Sequence, residues 1–298
     1  MTRDGAATGA EAADVVKVVL FCGGASLRLP EVAEAVPKPM IHIGYRPVLW
    51  HVMRSYAHFG MRDFVLCLGQ RGDLVKDYFL RYDEAASNDF VLSDGGRRVE
   101  LLGRDIADWR VTFADTGQHT QVGERLLRVR SHVADEEMFA TNYADVVTDA
   151  PLDELAADFR GRTEVAALLA VRPSYSFHLV DDDGQGHVSG LRDVQSADLW
   201  INGGYYFFRP GVFEYLRPGE DLVGAPFERL IADQQLVAYQ YAGFHTSLDT
   251  LKDLQRLQRL SETGRPPWAP WLGSEPASGA AAGWTVAPIP PTGRPGGT

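Results

Sequence analysis

The chain has 298 residues, 45% of them apolar and 23% charged, enough for one large α/β domain or two modest ones. Its 29 Lys and Arg against 40 Asp and Glu leave a formal charge of −11, which argues against a general nucleic-acid binder, because that role needs a basic face. No apolar run is long enough to span a membrane, and the opening MTRDGAATGAEAAD lacks the cationic start and apolar core of a signal peptide, so a cytoplasmic protein is expected.

In chain order, residues 1–14 read as a disordered leader. Val15 to Cys22 is β-branched and apolar on both faces, which predicts a central, parallel strand. FCGGASLRLPEVAEAVPKPM then supplies two adjacent glycines, one arginine, and a lysine between prolines. Pro47 to Phe59 carries Val48, Leu49, Val52, Met53 and Tyr56 at helical spacing, and Gly60 is a stop signal. Asp63 to Leu68 is a second buried strand, after which GQRG leads into a helix over Asp73 to Tyr82. Strand, helix, strand and helix in that order mean a doubly wound sheet. RRVELLG and WRVTFAD, within 83–115, alternate apolar and polar residues like antiparallel strands, with a turn at 93–96. A helix is expected over Glu124 to Val133, and a strand over Glu137 to Asn142 that ends at YADVVTD. Thr163 to Val171, Gly203 to Phe208 and Leu236 to Tyr241 are strand-like, and Leu248 to Thr263 is a charged amphipathic helix. From Trp271 the chain is rich in Pro, Gly and Ala and reads as a disordered tail, which leaves a single domain over 15–270. Cys22 and Cys67 each end a predicted buried strand and are expected to be reduced thiols.

A glycine pair at the end of a parallel strand lets the backbone approach a phosphate, with the next helix start aiming N–H groups at it. The same pair also fits a plain strand-ending turn. There is no G-x-G-x-x-G, so a dinucleotide fold is not indicated, and no G-K-[ST], so this is not a Walker-type loop. Pro37 and Pro39 fix the backbone around Lys38 and are expected to hold it extended. A rigidly presented ammonium suits the neutralisation of charge in a transition state; a solvated loop lysine is the plain alternative.

These residues, with motifs further along, carry a resemblance. Gly23-Gly24, Arg28-Leu29 and Pro37-Lys38-Pro39-Met40 resemble the loop GGxGTRL…PKPM of the sugar-1-phosphate nucleotidyltransferases. Pro47 to Met53, Asp63 to Gly69, Val75 to Phe79 and Asp115-Thr116-Gly117 are similar to the glucose-1-phosphate cytidylyltransferase branch of that family. So are Arg125-Leu126, Trp200 to Gly204 and Asp249 to Asp253, and the motifs recur in order over residues 15–270.

The resemblance implies an α/β fold: a Rossmann-like, doubly wound mixed sheet of the glycosyltransferase-A-like type, with a small antiparallel sheet insertion. It implies in-line attack of a sugar 1-phosphate oxygen on the α-phosphorus of a nucleoside triphosphate, with pyrophosphate leaving and Mg²⁺ assisting. CTP is the default nucleotide, UTP and dTTP are the next choices, and the product would serve a specialised sugar, cyclitol or natural-product pathway. A homo-oligomer is expected on the same basis.

Carried over residue by residue, Gly23, Gly24, Ala25 and Ser26 would meet the nucleotide. Arg28 would hold the β- and γ-phosphates, and Lys38 would bridge the α-phosphate and the incoming sugar phosphate. Gln70, Thr116, Gly117 and Arg125 would lie near the nucleotide, and Asp193, Trp200, Asn202 and Gly203 on the sugar side. Asp145 and Asp249 would hold Mg²⁺, with Asp145 joining Arg28 and Lys38 as a catalytic residue.

The chain departs from the family pattern in three places. Ser26 and Leu27 stand where the loop has glycine and threonine, and serine tolerates positive φ poorly. Val194 takes the place of a lysine that grips the sugar phosphate; Arg192 is a nearby cation, although adjacent strand residues point to opposite faces. Glu124 adds negative charge near a polyphosphate. Two further readings therefore stay open: a nucleotide-binding or regulatory homologue without turnover, and a transferase for a different acceptor.

Overall fold

The VVLF side chains of the first strand, β1 (Lys17–Phe21), are all buried, so it has no face to turn to water and lies inside a sheet. The computed structural model describes residues 16–23, 36–174 and 177–273, and the backbone of 285–287. The next strands are β2 (His42–Ile43), β3 (Arg46–Pro47), β4 (Asp63–Leu68), β5 (Phe90–Ser93), β6 (Arg98–Leu101) and β7 (Arg110–Asp115). Then come β8 (Phe139–Tyr143), β9 (Val146–Thr148), β10 (Ala166–Val171), β11 (His178–Asp182) and β12 (Val188–Asp193). The last are β13 (Ile201–Phe208), β14 (Leu236–Tyr241), β15 (His245–Ser247) and β16 (Thr285–Ala287).

Eight strands form one sheet in the order β16-β14-β10-β13-β8-β1-β4-β7. β1 pairs in parallel with β4 and β8, as its two apolar faces require. β13 runs antiparallel between β8 and β10, which makes the sheet mixed. Alternate side chains of β1 feed two cores, because strand residues point to opposite faces in turn. Val18 and Leu20 pack with the helices Val48–His58 and Leu152–Arg160. Val19 and Phe21 pack with the helices Val122–Arg128 and Ala225–Ala232 on the other face. This is the doubly wound mixed sheet expected from the resemblance, with β5–β6 as one small antiparallel insertion and β11–β12 as another.

The helix Val48–His58 ends next to Gly60, whose φ of +87° is the left-handed conformation that stops a helix. Cys22 and Cys67 are buried and unlinked, and burial pushes the Cys67 thiol up to about 12. Three expectations need correction. Trp109 to Asp115 is not part of an antiparallel insertion: β7 is a parallel partner of β4 at the sheet's edge. An edge strand is only half covered, so its sequence alternates as an antiparallel strand does. The helix expected over Glu124 to Val133 begins at Val122, ends at Arg128 and continues as a short turn over Arg130–His132. The stretch read as an irregular tail contains ordered contacts. Trp271 stands edge-on to Trp50 at 5.8 Å, and Thr285–Ala287 pairs with β14.

Candidate active site

Asp145 lies in the turn between β8 and β9, and Asp249 two residues beyond β15. β9 and β15 pair antiparallel, Val146 opposite Ser247, so the ribbon's register brings the two acids to the same end. The Leu248 N–H donates to the Asp145 carbonyl at 2.9 Å and fixes this closure. Thr250 then caps the helix Leu251–Ser261 through a reciprocal capping box with Asp253. Lys38 reaches the same spot from the other end of the chain. The extended conformation expected for Lys38 is corrected: Lys38–Met40 is a tight turn, with Pro37 as its extended cap and the Met40 N–H donating to the Pro37 carbonyl.

Lys38 Nζ donates to Asp145 Oδ2 at 3.0 Å and to Asp249 Oδ1 at 2.7 Å. Burial pulls the ammonium toward neutrality, but the attraction of Asp145 and Asp249 outweighs it, and the lysine's pKa ends above its ordinary value. Burial is the main reason that the Asp145 carboxyl sits above the usual range; Lys38 opposes this, and the like charge of Asp249 adds to it. Lys38, Asp145, Asn202, Gly203, His245 and Asp249 line a cleft of about 310 Å³.

The opposite wall is made by a kink in β13. Leu168 pairs with Tyr206 but Ala170 with Asn202, so the register shifts and β13 bulges over 203–205. Gly204 takes φ +74° there, and a Cβ on it would fall 2.8 Å from the Tyr143 ring. Asn202 is held by its own bonds, from Nδ2 to the Tyr206 hydroxyl at 2.8 Å and from the Gly204 N–H to Oδ1 at 3.0 Å. His245 Nε2 lies 2.8 Å from the Gly203 carbonyl, and burial lowers its pKa, so the neutral ring donates there.

The remaining sugar-side expectations do not line this cleft. Trp200 is stacked under the Arg172 guanidinium, 4.0 Å from its ring centre. Asp193 is exposed and accepts from the Gln195 N–H at 2.9 Å. Val194 is buried, and Arg192 is tied to Asp181 by two bonds of 2.7 Å, so neither presents a free cation to an acceptor.

At the carboxyl ends of β1 and β4, where the nucleotide is expected, Gly23 and Gly69 approach one buried guanidinium. A Cβ on Gly69 would fall 2.9 Å from the Gly23 Cα and 3.0 Å from Arg125 Nη1. Arg125 Nη1 donates to the Leu68 carbonyl, the Thr116 hydroxyl and the Gly117 carbonyl at 3.2, 2.7 and 2.8 Å. Arg125 and Thr116 are therefore braces under the loop start, both fully buried, rather than groups open to a ligand. Gly117 at φ +85° makes the turn over them. Gln70 is exposed at the carboxyl end of β4. Glu124 is engaged by Arg128 at 2.5 Å and by the Gly219 N–H at 2.9 Å, so its charge is neutralised locally. Gly24, Ala25, Ser26, Leu27 and Arg28 lie outside the described residues.

Sequence reasoning missed His245 and Ser247. Ser247 donates to Asp249 Oδ2 at 2.5 Å. The signal was present, since His245 and Ser247 alternate with the buried Thr246 immediately before Asp249.

Residues 17–245 match the family described as nucleotidyl transferase. The chain is 33% identical over 258 residues to glucose-1-phosphate cytidylyltransferases of Salmonella typhi and of Salmonella typhimurium strain LT2, covering 86% of this chain and all of each relative. A solved structure of a UDP-glucose pyrophosphorylase complexed with UDP-glucose superposes with a TM-score of 0.62 at 15% identity, over 84% of this chain and 100% of that one. The fold, the ordered motifs and these likenesses agree: the chain belongs to the nucleotidyl transferase family of sugar-1-phosphate enzymes, near its cytidylyltransferase branch.

Proposed function

We propose that the protein joins a nucleoside monophosphate, by default CMP from CTP, to a sugar 1-phosphate or related phosphate, with release of pyrophosphate and dependence on Mg²⁺. The observation that carries this reading is Lys38 held between Asp145 and Asp249 in a cleft walled by Gly203. No side chain is needed as a nucleophile, since the attacking group is the acceptor's own phosphate oxygen. The chain's work is to position two anions and to offset the charge that gathers between them. Lys38 supplies a cation at that point. Gly23 leaves room at the β1 end for the Arg125 guanidinium, which braces the start of the loop. Asn202 and Gly203 form the wall against which an acceptor rests.

The donor set fits Mg²⁺. Two carboxylate oxygens converge within 3.0 Å of one point, and both are hard oxygen donors. Among the described residues no group of three or more His, Cys, Asp or Glu side chains could hold a metal, so phosphate oxygens and water would complete the shell, as is usual for this ion. Asp145 and Asp249 would hold it, and when bound it would withdraw electron density from the α-phosphate. The relatives named as glucose-1-phosphate cytidylyltransferases support CTP and a hexose 1-phosphate as the first pair to test. The exposed apolar side chains Phe90, Leu92 and Val99 of the β5–β6 hairpin support a homo-oligomer. A cytoplasmic setting and a specialised sugar or natural-product pathway complete the proposal.

A transferase for a changed acceptor is favoured by one observation, the buried Val194 with Arg192 already paired. The test is pyrophosphate release with Mg²⁺, a panel of nucleoside triphosphates and a panel of sugar 1-phosphates. Release with CTP and a hexose 1-phosphate is expected. Triphosphate binding by calorimetry with no release from any pair would favour a regulatory homologue instead.

A further inference from the structure

Three charged side chains from distant parts of the chain close on one another in the cleft. The lysine and the second aspartate are 211 positions apart in sequence, yet their polar atoms lie within 2.7 Å. All three side chains are at least partly withdrawn from water, Lys38 at 20%, Asp145 at 17% and Asp249 at 45% exposure. The backbone on each side is fixed, by the Pro37–Met40 turn and by the β9–β15 ribbon. The ammonium thus sits on the two oxygens, one from each acid, that face a common point. A divalent cation held by the same two carboxylates would compete with the ammonium for them. An ammonium left in hydrogen-bond contact with both would repel it across a partly desolvated gap.

We propose that Lys38 is the resident counter-ion of the Asp145–Asp249 pair, that a divalent cation enters only by displacing it, and that this displacement delivers the ammonium to the substrates' phosphate oxygens. The inference rests on the transferase reading for the identity of the metal and the phosphates, but the competition itself is a property of these three side chains. A cation alone must evict Lys38 without offering it a new partner. A triphosphate arriving with the cation supplies that partner, so metal and triphosphate help one another bind, and the coupling is reciprocal.

The experiment uses the full-length protein without nucleotide and Mn²⁺ as the probe, its binding read from loss of the free-ion signal in electron paramagnetic resonance. Lys38→Met is expected to bind Mn²⁺ about tenfold more tightly than the wild type, the effect of removing one competing charge. Lys38→Arg should stay near the wild type, and the pair Lys38→Met with Asp249→Asn should lose the gain. In the wild type, Mn²⁺ should raise the modification of Lys38 by an amine-reactive reagent several-fold, while the exposed Lys76 stays constant. Equal Mn²⁺ affinity of the wild type and Lys38→Met, binding to neither, or labelling of Lys38 that ignores bound Mn²⁺ overturns the proposal. If circular dichroism shows that Lys38→Met is unfolded, the labelling of the wild type decides. Pyrophosphate release by the wild type is scored separately. Turnover without the exchange removes only this inference, and the exchange without turnover removes only the transferase reading.

Discussion

Gly23 and Arg125 are packed so closely that a Cβ on the glycine would fall 2.4 Å from the arginine's Nη1. The arginine has little room to withdraw, because it is tied to Leu68, Thr116, Gly117 and Gln118 and is fully buried. Gly23→Ala is therefore expected to cost about 1–3 kcal/mol of stability by overpacking. It should also weaken triphosphate binding, since the strand end proposed to meet the phosphates must shift. Urea unfolding and calorimetric titration with CTP check the two effects. Wild-type values in both would mean that the guanidinium yields.

Lys38→Ala should lower pyrophosphate release by about 100-fold or more, the usual loss for one preorganised charge in a transition state. Its circular dichroism should match the wild type. Unchanged turnover would sink the role given to this lysine.

Gly203 presses its backbone against β10, where a Cβ would lie 2.9 Å from the Leu169 carbonyl. That carbonyl is backbone and cannot swing aside as a long side chain would. Gly203→Ala should move the bulge and raise KM for the sugar phosphate, with a stability loss of about 1–3 kcal/mol. Steady-state kinetics with the acceptor varied, beside thermal unfolding, test this. A KM change for the triphosphate alone would place the glycine on the wrong side of the reaction.

His51 gives the protein an acid sensitivity that has nothing to do with the cleft. It is buried, its Nε2 meets the Ile43 carbonyl at 3.0 Å, and the Trp268 indole donates to its Nδ1 at 3.3 Å. Burial, with Arg46 and His42 nearby, lowers its pKa from 6.5 to about 4. Between those values the unfolded chain binds a proton that the folded chain refuses, so stability falls as pH falls. The contribution of His51 should reach about 3 kcal/mol over this window and level off below it. Urea unfolding at several pH values should show the slope, and His51→Gln should flatten it. Equal slopes for both proteins would assign the acid sensitivity to other groups.

Much of the central sheet was legible because its signals are local. Val15 to Cys22 and Asp63 to Leu68 are apolar on both faces, and the helix after Pro47 shows its period and its glycine stop. The helix Leu152–Arg160 was not read, although Leu152, Leu155, Ala156 and Phe159 share its buried face. β9 and β15 were not readable, because three residues are too few to show a period and each strand's partner lies far along the chain. Within the site, two flanking prolines marked Lys38. Nothing local marked Arg125 as a brace: arginine is most often a surface residue, and three of its four partners are backbone carbonyls, which carry no sequence signature.

The β9–β15 ribbon also sets when the site can exist. During synthesis Lys38 and Asp145 emerge before Asp249, which reaches them only after most of the chain has been made and β15 has zipped onto β9. Contacts this distant along the chain carry a large loop-closure cost and form late. A nascent or truncated chain that stops before β15 therefore keeps Lys38 and one acid of the pair but lacks the second. The three-way contact of Lys38, Asp145 and Asp249 is then a record of synthesis past β15, withheld from every fragment that ends before it.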